Sequence, residues 1–382
     1  MRVMISGGGT GGHVYPALAV VQALGPGEGE IRYLGSAPSI EAELVSRAGL
    51  PFVRISAAPI RGRAPWTVVR NLAQTLAGVR QALREIEDFQ PEAIFVTGGY
   101  VSVPVVVAGW LRRVPILIYL PDIEPGLAIR VLSHLARRVA VSVEESQRYF
   151  PAHKTVVTGY PVRSELLAQI SKSADQQIGA DQQIGKREAR KALGLEEGLK
   201  TLLVYGGSRG AHSINLALSK VLDRLLEVCQ IVHICGRWDA EWVESWQAEL
   251  PAHLKARYKA YAYLHEEMAQ ALAAADLVVA RAGAATLGEL PALGLPGILV
   301  PYPYAGRHQE LNADYLASRG AAVKIDNADL EEKLLPTVVE LFGNAELLRQ
   351  MGEKARRLAR PEAAQHIARE LRRLSVEGQK GE

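Results

Sequence analysis

Residues 276–312 read DLVVARAGAATLGELPALGLPGILVPYPYAGRHQELN and contain two short apolar runs separated by a helical pattern. The runs Leu277–Ala280 and Gly297–Val300 are typical of strands buried in a parallel sheet. Between them, Ala285–Leu293 is predicted to be a helix that ends at Gly294. A strand, a helix and a second strand in this order predict one βαβ unit of an α/β domain.

Polar residues follow the predicted strands of this unit. In an open α/β sheet, ligands bind beyond the carboxyl ends of the strands. Glu289 lies in the helix beside a turn of Ala and Gly, where a carboxylate can hold a ribose diol and small residues such as Ala284 admit a flat base. Gln309 and Asn312 follow the second strand. The pattern favours a nucleotide site; the alternative is a surface glutamate with a solvated loop.

Composition limits the class of protein. A chain of 382 residues with 48% hydrophobic and 22% charged residues predicts about two globular domains. The net charge of +3 is too small to indicate nucleic-acid binding. Cys229 and Cys235 lack metal-ligand spacing and are predicted to be buried thiols in a reducing compartment. No apolar run reaches the roughly 18 residues of a membrane span, and the first strand begins at Arg2, so neither a span nor a signal peptide is predicted.

Glycine-rich turns follow three predicted strands, at Gly7–Gly12, Gly98–Gly99 and Gly206–Gly210. The backbone N–H groups of such a turn at a helix N-terminus suit a phosphate or the close approach of a sugar. Gly7–Gly12 formally satisfies GxGxxG, but the next strand has no acidic residue after it for a dinucleotide ribose. His13 stands at the mouth of the first turn, where an imidazole can take a proton.

Strands and helices alternate along the chain and predict doubly wound parallel sheets. The pattern is interrupted by a polar tandem duplication, ADQQIGADQQIG, at residues 174–185. We expect residues 171–186 to be a mobile loop just past the boundary between two domains.

Several motifs occur together and in order: GGTGGHVYPALA at 8–19, TGGYVSVP at 97–104, GYPVR at 159–163, GGSRGAHSIN at 206–215 and ADLVVARAGAATLGEL at 275–290. With them, nearly the whole chain resembles the MurG family of glycosyltransferases. The resemblance implies the GT-B fold: two Rossmann-like, doubly wound parallel-sheet domains that face a cleft. It implies an acceptor- and membrane-binding domain over 1–163, a UDP-sugar domain over 164–345, and C-terminal helices over 346–382 that return to the first domain.

The family's activity is transfer of N-acetylglucosamine (GlcNAc) from UDP-GlcNAc to a polyprenyl-pyrophosphoryl-MurNAc-pentapeptide, in peptidoglycan synthesis at the cytoplasmic face of the membrane. By resemblance, Ser208 and Arg209 hold the diphosphate, Glu289 the ribose, and Gln309 with Asn312 the sugar. The remaining positions carried over from the family pattern are His13, Thr10, Gly11, Gly12, Tyr100, Ser102, Arg163, His265 and Ala284. No cofactor is implied, and no Asp-x-Asp pair indicates a metal.

One segment departs from the family pattern. The family's His-Glu-Gln-Asn is replaced by residues 119–122, Tyr-Leu-Pro-Asp. Asp122 therefore competes with His13 for the role of catalytic base, and we favour His13. The departure leaves open a related transferase with another lipid or glycoside acceptor. A UDP-GlcNAc 2-epimerase and a nucleotide-sugar-binding protein without catalysis also stay open on the sequence.

A basic and apolar segment predicts contact with an anionic membrane surface. Between positions 61 and 84 there are five arginines and no acidic residue, and large apolar residues are interleaved with the arginines. They are Arg61, Arg63, Arg70, Arg80 and Arg84, with Trp66, Val68, Val69, Leu72 and Leu76. Trp110–Arg113 adds a second cluster. The alternative is an ordinary amphipathic helix packed on the sheet.

Overall fold

The computed structural model describes residues 1–9, 11–25, 27, 29–37, 39–59, 65–171, 180–207, 210–265, 267–304 and 307–379. The chain forms two compact units. Unit 1 is Met1–Arg163 together with the segment from Pro361 onward, and unit 2 is Ser164–Arg360.

Unit 1 is built on a parallel sheet of seven strands in the order β3-β2-β1-β4-β5-β6-β7. The strands are β1 (Arg2–Gly7), β2 (Glu30–Gly35), β3 (Phe52–Arg54), β4 (Ala93–Gly98), β5 (Ile116–Leu120), β6 (Arg138–Val141) and β7 (Thr155–Val157). The helices are α1 (Gly11–Leu24), α2 (Ile40–Arg47), α3 (Pro65–Phe89), α4 (Ser102–Leu111) and α5 (Leu127–Leu132), followed by 3₁₀ turns at Glu144–Tyr149 and Ala152–Lys154. β4 and β5 are buried along their whole length because helices cover both faces of the sheet.

Unit 2 contains six parallel strands in the order β10-β9-β8-β11-β12-β13. They are β8 (Thr201–Tyr205), β9 (Gln230–Ile234), β10 (Tyr258–Tyr261), β11 (Leu277–Ala280), β12 (Gly297–Leu299) and β13 (Ala322–Lys324). The helices are α6 (Ser164–Ser171), α7 (Ala180–Ala192), α8 (His212–Ser219), α9 (Leu222–Val228), α10 (Ala240–Glu249), α11 (Ala252–Lys255), α12 (Glu267–Ala274), α13 (Thr286–Leu293), α14 (His308–Ser318), α15 (Leu330–Gly343) and α16 (Ala345–Arg356). Both predicted parallel sheets are confirmed.

Each sheet changes its winding direction at one place. In unit 1 the chain runs from β1 outward to β2 and then returns to β4 on the other side of β1. In unit 2 the chain runs from β8 outward to β9 and β10 and then returns to β11 on the other side of β8. Ligands of open α/β sheets bind at the carboxyl ends of the strands that flank such a reversal. Ligand sites are therefore expected at the turns after β1 and β4 in unit 1, and at the turns after β8 and β11 in unit 2.

The structure differs from the expected loop over 171–186. α6 continues to Ser171, and the second copy of the duplication starts α7 at Ala180; residues 172–179 lie outside the described part. α7 is anchored by its C-terminal half, where Lys186 and Arg190 reach the two carboxylate oxygens of Asp276 at 2.7 and 2.6 Å. These ion pairs, together with the packing of α7 against α12, stabilise the polar segment as a helix.

Asp276 stands directly before β11 and also accepts the Thr201 backbone N–H at 2.7 Å. Burial by itself would raise the pKa of the Asp276 carboxyl, but the charges of Lys186 and Arg190 outweigh it and lower the pKa below its ordinary value. The side chains of Asp276 and Arg190 are only 15% and 10% exposed. The ion pair thus joins α7 to the amino end of the central strand.

We expect Asp276→Ala to lower the free energy of unfolding by about 3 kcal/mol, because it leaves two partly buried cations without their anion. The depressed pKa makes this stabilisation fully present above about pH 4, the unfolded-state value, and lost as pH falls through the folded-state value. Urea denaturation at several pH values measures both effects. Asp329→Asn, which removes the exposed pair with Lys333, is the control and should cost no more than about 1 kcal/mol. Equal losses in the two variants would contradict the expectation.

The C-terminal segment also differs from the expectation that 346–382 returns to the first domain. α16 packs on α13 and α15 and belongs to unit 2. The final helix, α17 (Ala363–Gln379), begins just after Pro361 and belongs to unit 1. Its apolar residues recur every three or four positions and join the core formed by β1 and α1. These residues are Ala364, Ile367, Ala368, Leu371 and Leu374.

α3 presents two different faces. Its inward face contains the buried residues Asn71, Thr75, Gly78, Ala82 and Ile86. Its outward face carries an apolar stripe at Trp66, Val69, Leu72 and Leu76, which are 76%, 70%, 48% and 56% exposed. Among the described residues, no helix combines the length and apolarity needed to cross a membrane.

Candidate active site

We call the turn after β1 the first glycine turn (Gly7–Gly12). Three successive residues of this turn form hydrogen bonds with other parts of unit 1. The Tyr33 hydroxyl donates to the Gly7 carbonyl at 2.5 Å. The Gly8 N–H donates to the Gly98 carbonyl at 3.2 Å, and the Gly9 N–H donates to Glu41 Oε2 at 3.3 Å. Gly7, Gly8 and Gly9 are therefore held in place by hydrogen bonds, and α1 begins at Gly11.

His13 lies in the first turn of α1 and is half-buried. Its Nδ1 is 2.7 Å from the carbonyl oxygen of Thr97, at the end of β4. A carbonyl can only accept, so the neutral imidazole carries its proton on Nδ1 and its lone pair on Nε2. Gly98 has φ +112°, and a Cβ there would stand 3.0 Å from the His13 ring. Glycine at this position lets the ring approach the strand end, and His13 is held as a proton acceptor.

The other predicted acceptor residues surround the two turns of unit 1. The Tyr100 ring lies 4.0 Å from where a Cβ of Gly9 would be, so the ring borders the first glycine turn. Ser102 is fully buried, and its hydroxyl donates to the Gly98 carbonyl at 2.7 Å. Gly11 and Gly12 begin α1. Thr10 lies outside the described residues.

The segment that departs from the family pattern, residues 119–122, begins with a tyrosine whose hydroxyl is hydrogen-bonded in the core of unit 1. Tyr119 is fully buried, and its hydroxyl lies 2.7 Å from Ser142 Oγ and 3.2 Å from the Gly159 carbonyl. Burial raises the pKa of Tyr119 well above its ordinary value, so the hydroxyl stays protonated. Tyr119 is thus a core residue at the end of β5. Asp122 follows the strand and is half-buried.

Arg163 contacts α1 within unit 1. Its guanidinium carbon is 4.0 Å from the centre of the Tyr15 ring, a cation–π contact. Tyr15 is in α1, two residues after His13, and its ring stands 3.2 Å from where a Cβ of Gly11 would be. Tyr15 was not anticipated from the sequence.

In unit 2, the turn after β8, which we call the second glycine turn (Gly206–Gly210), leads toward the N-terminus of α8. Gly207 and Gly210 have φ of +88° and +75°, which favours glycine at both positions. Ser208 and Arg209, predicted to hold the diphosphate, lie outside the described residues. The Gly210 N–H closes the turn on the Gly207 carbonyl at 3.0 Å.

Arg281, at the end of β11, brings a positive charge to the N-terminus of α8. Its guanidinium donates to Ser213 Oγ at 2.6 Å and to the carbonyls of Val300 and Pro301 at 3.2 and 3.1 Å. Burial lowers the pKa of Arg281, but an arginine keeps its charge near neutral pH. Sequence reasoning placed Arg281 only as a turn residue.

Glu289 lies in the first half of α13 and is 2% exposed. The small-residue turn before the helix contains the buried Ala284 and, next to it, Gly283. A Cβ on Gly283 would meet nothing within 4 Å, and the same holds for Gly207. β8 and β11 are adjacent. Open space therefore borders Gly207 and Gly283, which follow the two strands at the reversal point of this sheet.

The predicted sugar-binding residues are both engaged with backbone. Gln309 Oε1 accepts the Tyr302 N–H at 2.9 Å. Asn312 is fully buried, and its amide donates to the Ala282 carbonyl at 3.0 Å. Asn312 thus ties α14 to the turn before α13. His265 follows β10 and makes an edge contact with Tyr263, with ring centres 4.6 Å apart.

The most consequential residue that sequence reasoning missed is Glu41. It lies in α2, is fully buried, and contacts the first glycine turn. The only sequence signal is a glutamate near the start of a helix, which ordinarily serves the helix dipole. Within the described part of the chain, no group of three or more His, Cys, Asp and Glu side chains is arranged to hold a metal ion.

Comparison with known proteins supports the family resemblance. Residues 3–141 match the glycosyltransferase family 28 N-terminal domain, and residues 201–367 match the C-terminal domain of that family. The chain is 43% identical, over 99% of its length and 96% of the relative's, to the UDP-N-acetylglucosamine--N-acetylmuramyl-(pentapeptide) pyrophosphoryl-undecaprenol N-acetylglucosamine transferase of Roseiflexus sp. (strain RS-1).

Two solved structures show related folds. The crystal structure of Acinetobacter baumannii MurG matches with a TM-score of 0.71 and 28% identity, covering 97% of this chain and 99% of that one. The UDP-GlcNAc 2-epimerase from Neisseria meningitidis matches with a TM-score of 0.68 at 14% identity, covering 98% and 100%. At that identity the second likeness shows the fold alone.

Proposed function

This chain belongs to the MurG family of glycosyltransferases, and from that premise we propose that it performs the reaction for which its relatives are named. It is a hexosyltransferase that moves GlcNAc from UDP-GlcNAc to the N-acetylmuramyl-pentapeptide carried on pyrophosphoryl-undecaprenol. The observation that carries the proposal is the likeness to such a transferase over nearly the whole length of both chains.

Unit 2 is assigned the donor. The N-terminus of α8 favours an anion, and Arg281 adds a positive charge there. Glu289, in the helix that follows the Gly283 turn, is assigned to the ribose hydroxyls. Gln309, Asn312 and His265 are assigned to the sugar and the base. The same positive groups stabilise the UDP that leaves.

Unit 1 is assigned the acceptor. An acceptor hydroxyl attacks the anomeric carbon of GlcNAc, and the bond from that carbon to the UDP oxygen breaks with inversion. His13 Nε2 takes the hydroxyl proton, because Nδ1 is engaged with the Thr97 carbonyl. The Tyr100 ring borders Gly9, and Arg163 stacks on Tyr15 of α1, so both are assigned to acceptor binding.

Radiolabelled UDP-GlcNAc incubated with three acceptor sets tests the reaction. The sets are undecaprenyl-pyrophosphoryl-MurNAc-pentapeptide, a panel of other polyprenyl glycosides, and no acceptor. Label should pass to the pentapeptide-bearing lipid alone. Transfer only to another member of the panel would assign a different acceptor. Formation of UDP-ManNAc without acceptor would indicate an epimerase and overturn the proposal.

We also propose that the chain is peripheral on the cytoplasmic face of the cell membrane, and the outward stripe of α3 supports the contact with a lipid surface. Its four apolar residues are exposed instead of packed on the sheet, whereas Val68 is partly buried. Arg70, Arg80 and Arg84 are exposed on the same helix, and Trp110 is 52% exposed on the neighbouring α4. Arg61 and Arg63 lie outside the described residues. Exposed apolar side chains bordered by arginines suit an anionic lipid surface.

We expect the double variant Trp66→Ser, Leu76→Ser to lower binding to phosphatidylglycerol vesicles by about ten-fold or more, since two large apolar side chains no longer enter the lipid. Flotation with anionic and neutral vesicles measures it. The matched control is Trp238→Ser, which removes a tryptophan of unit 2 that is 81% exposed. Equal recovery of the wild type with both vesicle types, or with neither, would exclude the stripe as the membrane contact.

A further inference from the structure

His233 lies in β9 and is fully buried, and both of its ring nitrogens have hydrogen-bond partners. Nδ1 is 2.7 Å from the Tyr258 hydroxyl oxygen, and Nε2 is 2.9 Å from Oδ1 of Asn215 in α8. Burial lowers the pKa of the imidazole to about 3, so the ring is neutral near neutral pH. A neutral imidazole carries one proton, and therefore one nitrogen donates while the other accepts.

The amide of Asn215 decides which nitrogen of His233 carries the proton. Asn215 Nδ2 lies 2.9 Å from the Cys235 carbonyl oxygen and 2.7 Å from Asp239 Oδ2. A carbonyl oxygen can only accept, so this end of the amide is the NH₂ group and the end that faces the imidazole is the oxygen. His233 therefore donates from Nε2–H to Asn215, and the Tyr258 hydroxyl donates to Nδ1.

The NH₂ group of Asn215 holds the loop 235–239, which leads from β9 into α10, at both of its ends. This loop packs directly against the second glycine turn. A Cβ on Gly210 would lie 2.3 Å from the Cys235 carbonyl oxygen and 3.0 Å from the Gly236 Cα. The carbonyl group that Asn215 holds is thus the group on which Gly210 rests, two residues before α8 begins.

We propose that His233 is a positioning residue for the donor diphosphate: through Asn215, it holds the loop 235–239 on which the second glycine turn rests. This inference rests on the proposed function, in which the N-terminus of α8 binds the diphosphate of UDP. Without the bond from Nε2–H, the Asn215 amide can turn and release the Cys235 carbonyl. The alternative is a histidine that only fills the space between the rings of Tyr258 and Trp246.

Two amide variants separate the two hydrogen bonds of the ring. His233→Gln places an amide N–H near the position of Nε2 and can keep the bond to Asn215. His233→Asn places its amide near the position of Nδ1 and can keep only the bond with Tyr258. We expect His233→Asn to weaken UDP binding by about 10-fold, the effect of one lost buried hydrogen bond, and His233→Gln to stay close to the wild type.

Calorimetric titration of the full chain with UDP measures the affinity, and steady-state kinetics separates binding from turnover. In His233→Asn the KM for UDP-GlcNAc should rise with the loss of UDP affinity while kcat changes little, because the diphosphate is held less well before and during the reaction. In the wild type, ¹⁵N NMR of labelled histidine should show a neutral ring with its proton on Nε2.

Tyr258→Phe is the matched control, because it removes the other hydrogen bond of the same buried ring. It should lower the melting temperature about as much as His233→Asn does, since each variant leaves one buried polar group without its partner. Its affinity for UDP should stay close to that of the wild type.

A proton on Nδ1 in the wild type would overturn the inference. Wild-type affinity for UDP in His233→Asn would do the same, as would an equal loss of affinity in Tyr258→Phe, because affinity would then follow stability. If His233→Asn does not fold, the wild-type tautomer and the His233→Gln titration still decide, and weak UDP binding by a folded His233→Gln contradicts the inference. Failure of the wild type to bind UDP would instead count against the proposed function.

Discussion

Replacing His13 by alanine is expected to lower kcat by about 10²- to 10⁴-fold, the usual contribution of a positioned base, and to leave the affinity for UDP-GlcNAc nearly unchanged. The imidazole is fixed by the 2.7 Å contact of Nδ1 with the Thr97 carbonyl. Without it, no group at that position takes the proton from the attacking hydroxyl. Steady-state kinetics with the correct acceptor, together with calorimetric titration of UDP, measures the two quantities separately.

Two variants make this test specific. His13→Asn keeps an N–H donor for the Thr97 carbonyl but has no basic nitrogen, so it should be as impaired as His13→Ala. Asp122→Asn examines the competing base and should retain most of the activity. The opposite result, with Asp122→Asn inactive and His13→Ala nearly as active as the wild type, would reverse the roles and favour an acceptor bound differently.

Glu289→Ala is expected to weaken UDP binding by roughly 10- to 150-fold. A carboxylate that accepts two ribose hydroxyls forms charge-assisted hydrogen bonds with a combined net contribution of about 1.5–3 kcal/mol. Calorimetric titration with UDP measures the loss. Because Glu289 is 2% exposed, a thermal melt of each variant must show that the fold is kept.

A ligand control tests the ribose assignment directly. The diphosphate of 2′,3′-dideoxyuridine lacks both hydroxyls, so the wild type and Glu289→Ala should bind it equally. Glu289→Gln keeps one acceptor oxygen without the charge and should fall between the wild type and Glu289→Ala for UDP. If Glu289→Ala binds UDP with wild-type affinity, the ribose is held elsewhere and the assignment is wrong.

Local patterns predicted the two parallel sheets but missed the edge strand β13 and two of the helical segments. Apolar runs such as Leu277–Ala280 identify buried parallel strands because both faces of the strand must be apolar. The polar residues 180–186 have no such signature, and their helix depends on the contact of Lys186 with Asp276. The place of α16 likewise depends on packing against α13 and α15, which no local signal within α16 indicates.

The candidate site shows the same division. The glycine turns, His13 and Glu289 were identified because each lies in a turn after a strand or in the helix that follows such a turn, which is a local property of the chain. Their chemical roles remain predictions. Glu41 and Arg281 were missed because their significance depends on contacts with Gly9 and Ser213, which are 32 and 68 residues away.

The sequence by itself determined the parallel α/β sheets, the glycine turns at the strand ends, and membership of the glycosyltransferase family. These depend on apolar periodicity, on backbone conformations that need glycine, and on ordered motifs, all of which can be read along the chain. Only the tertiary structure decided which nitrogen of His13 carries the lone pair, that a carboxylate lies beneath the first glycine turn, and that α17 completes the core of unit 1. Each of these depends on strand order and packing, which bring together residues that are far apart in the sequence.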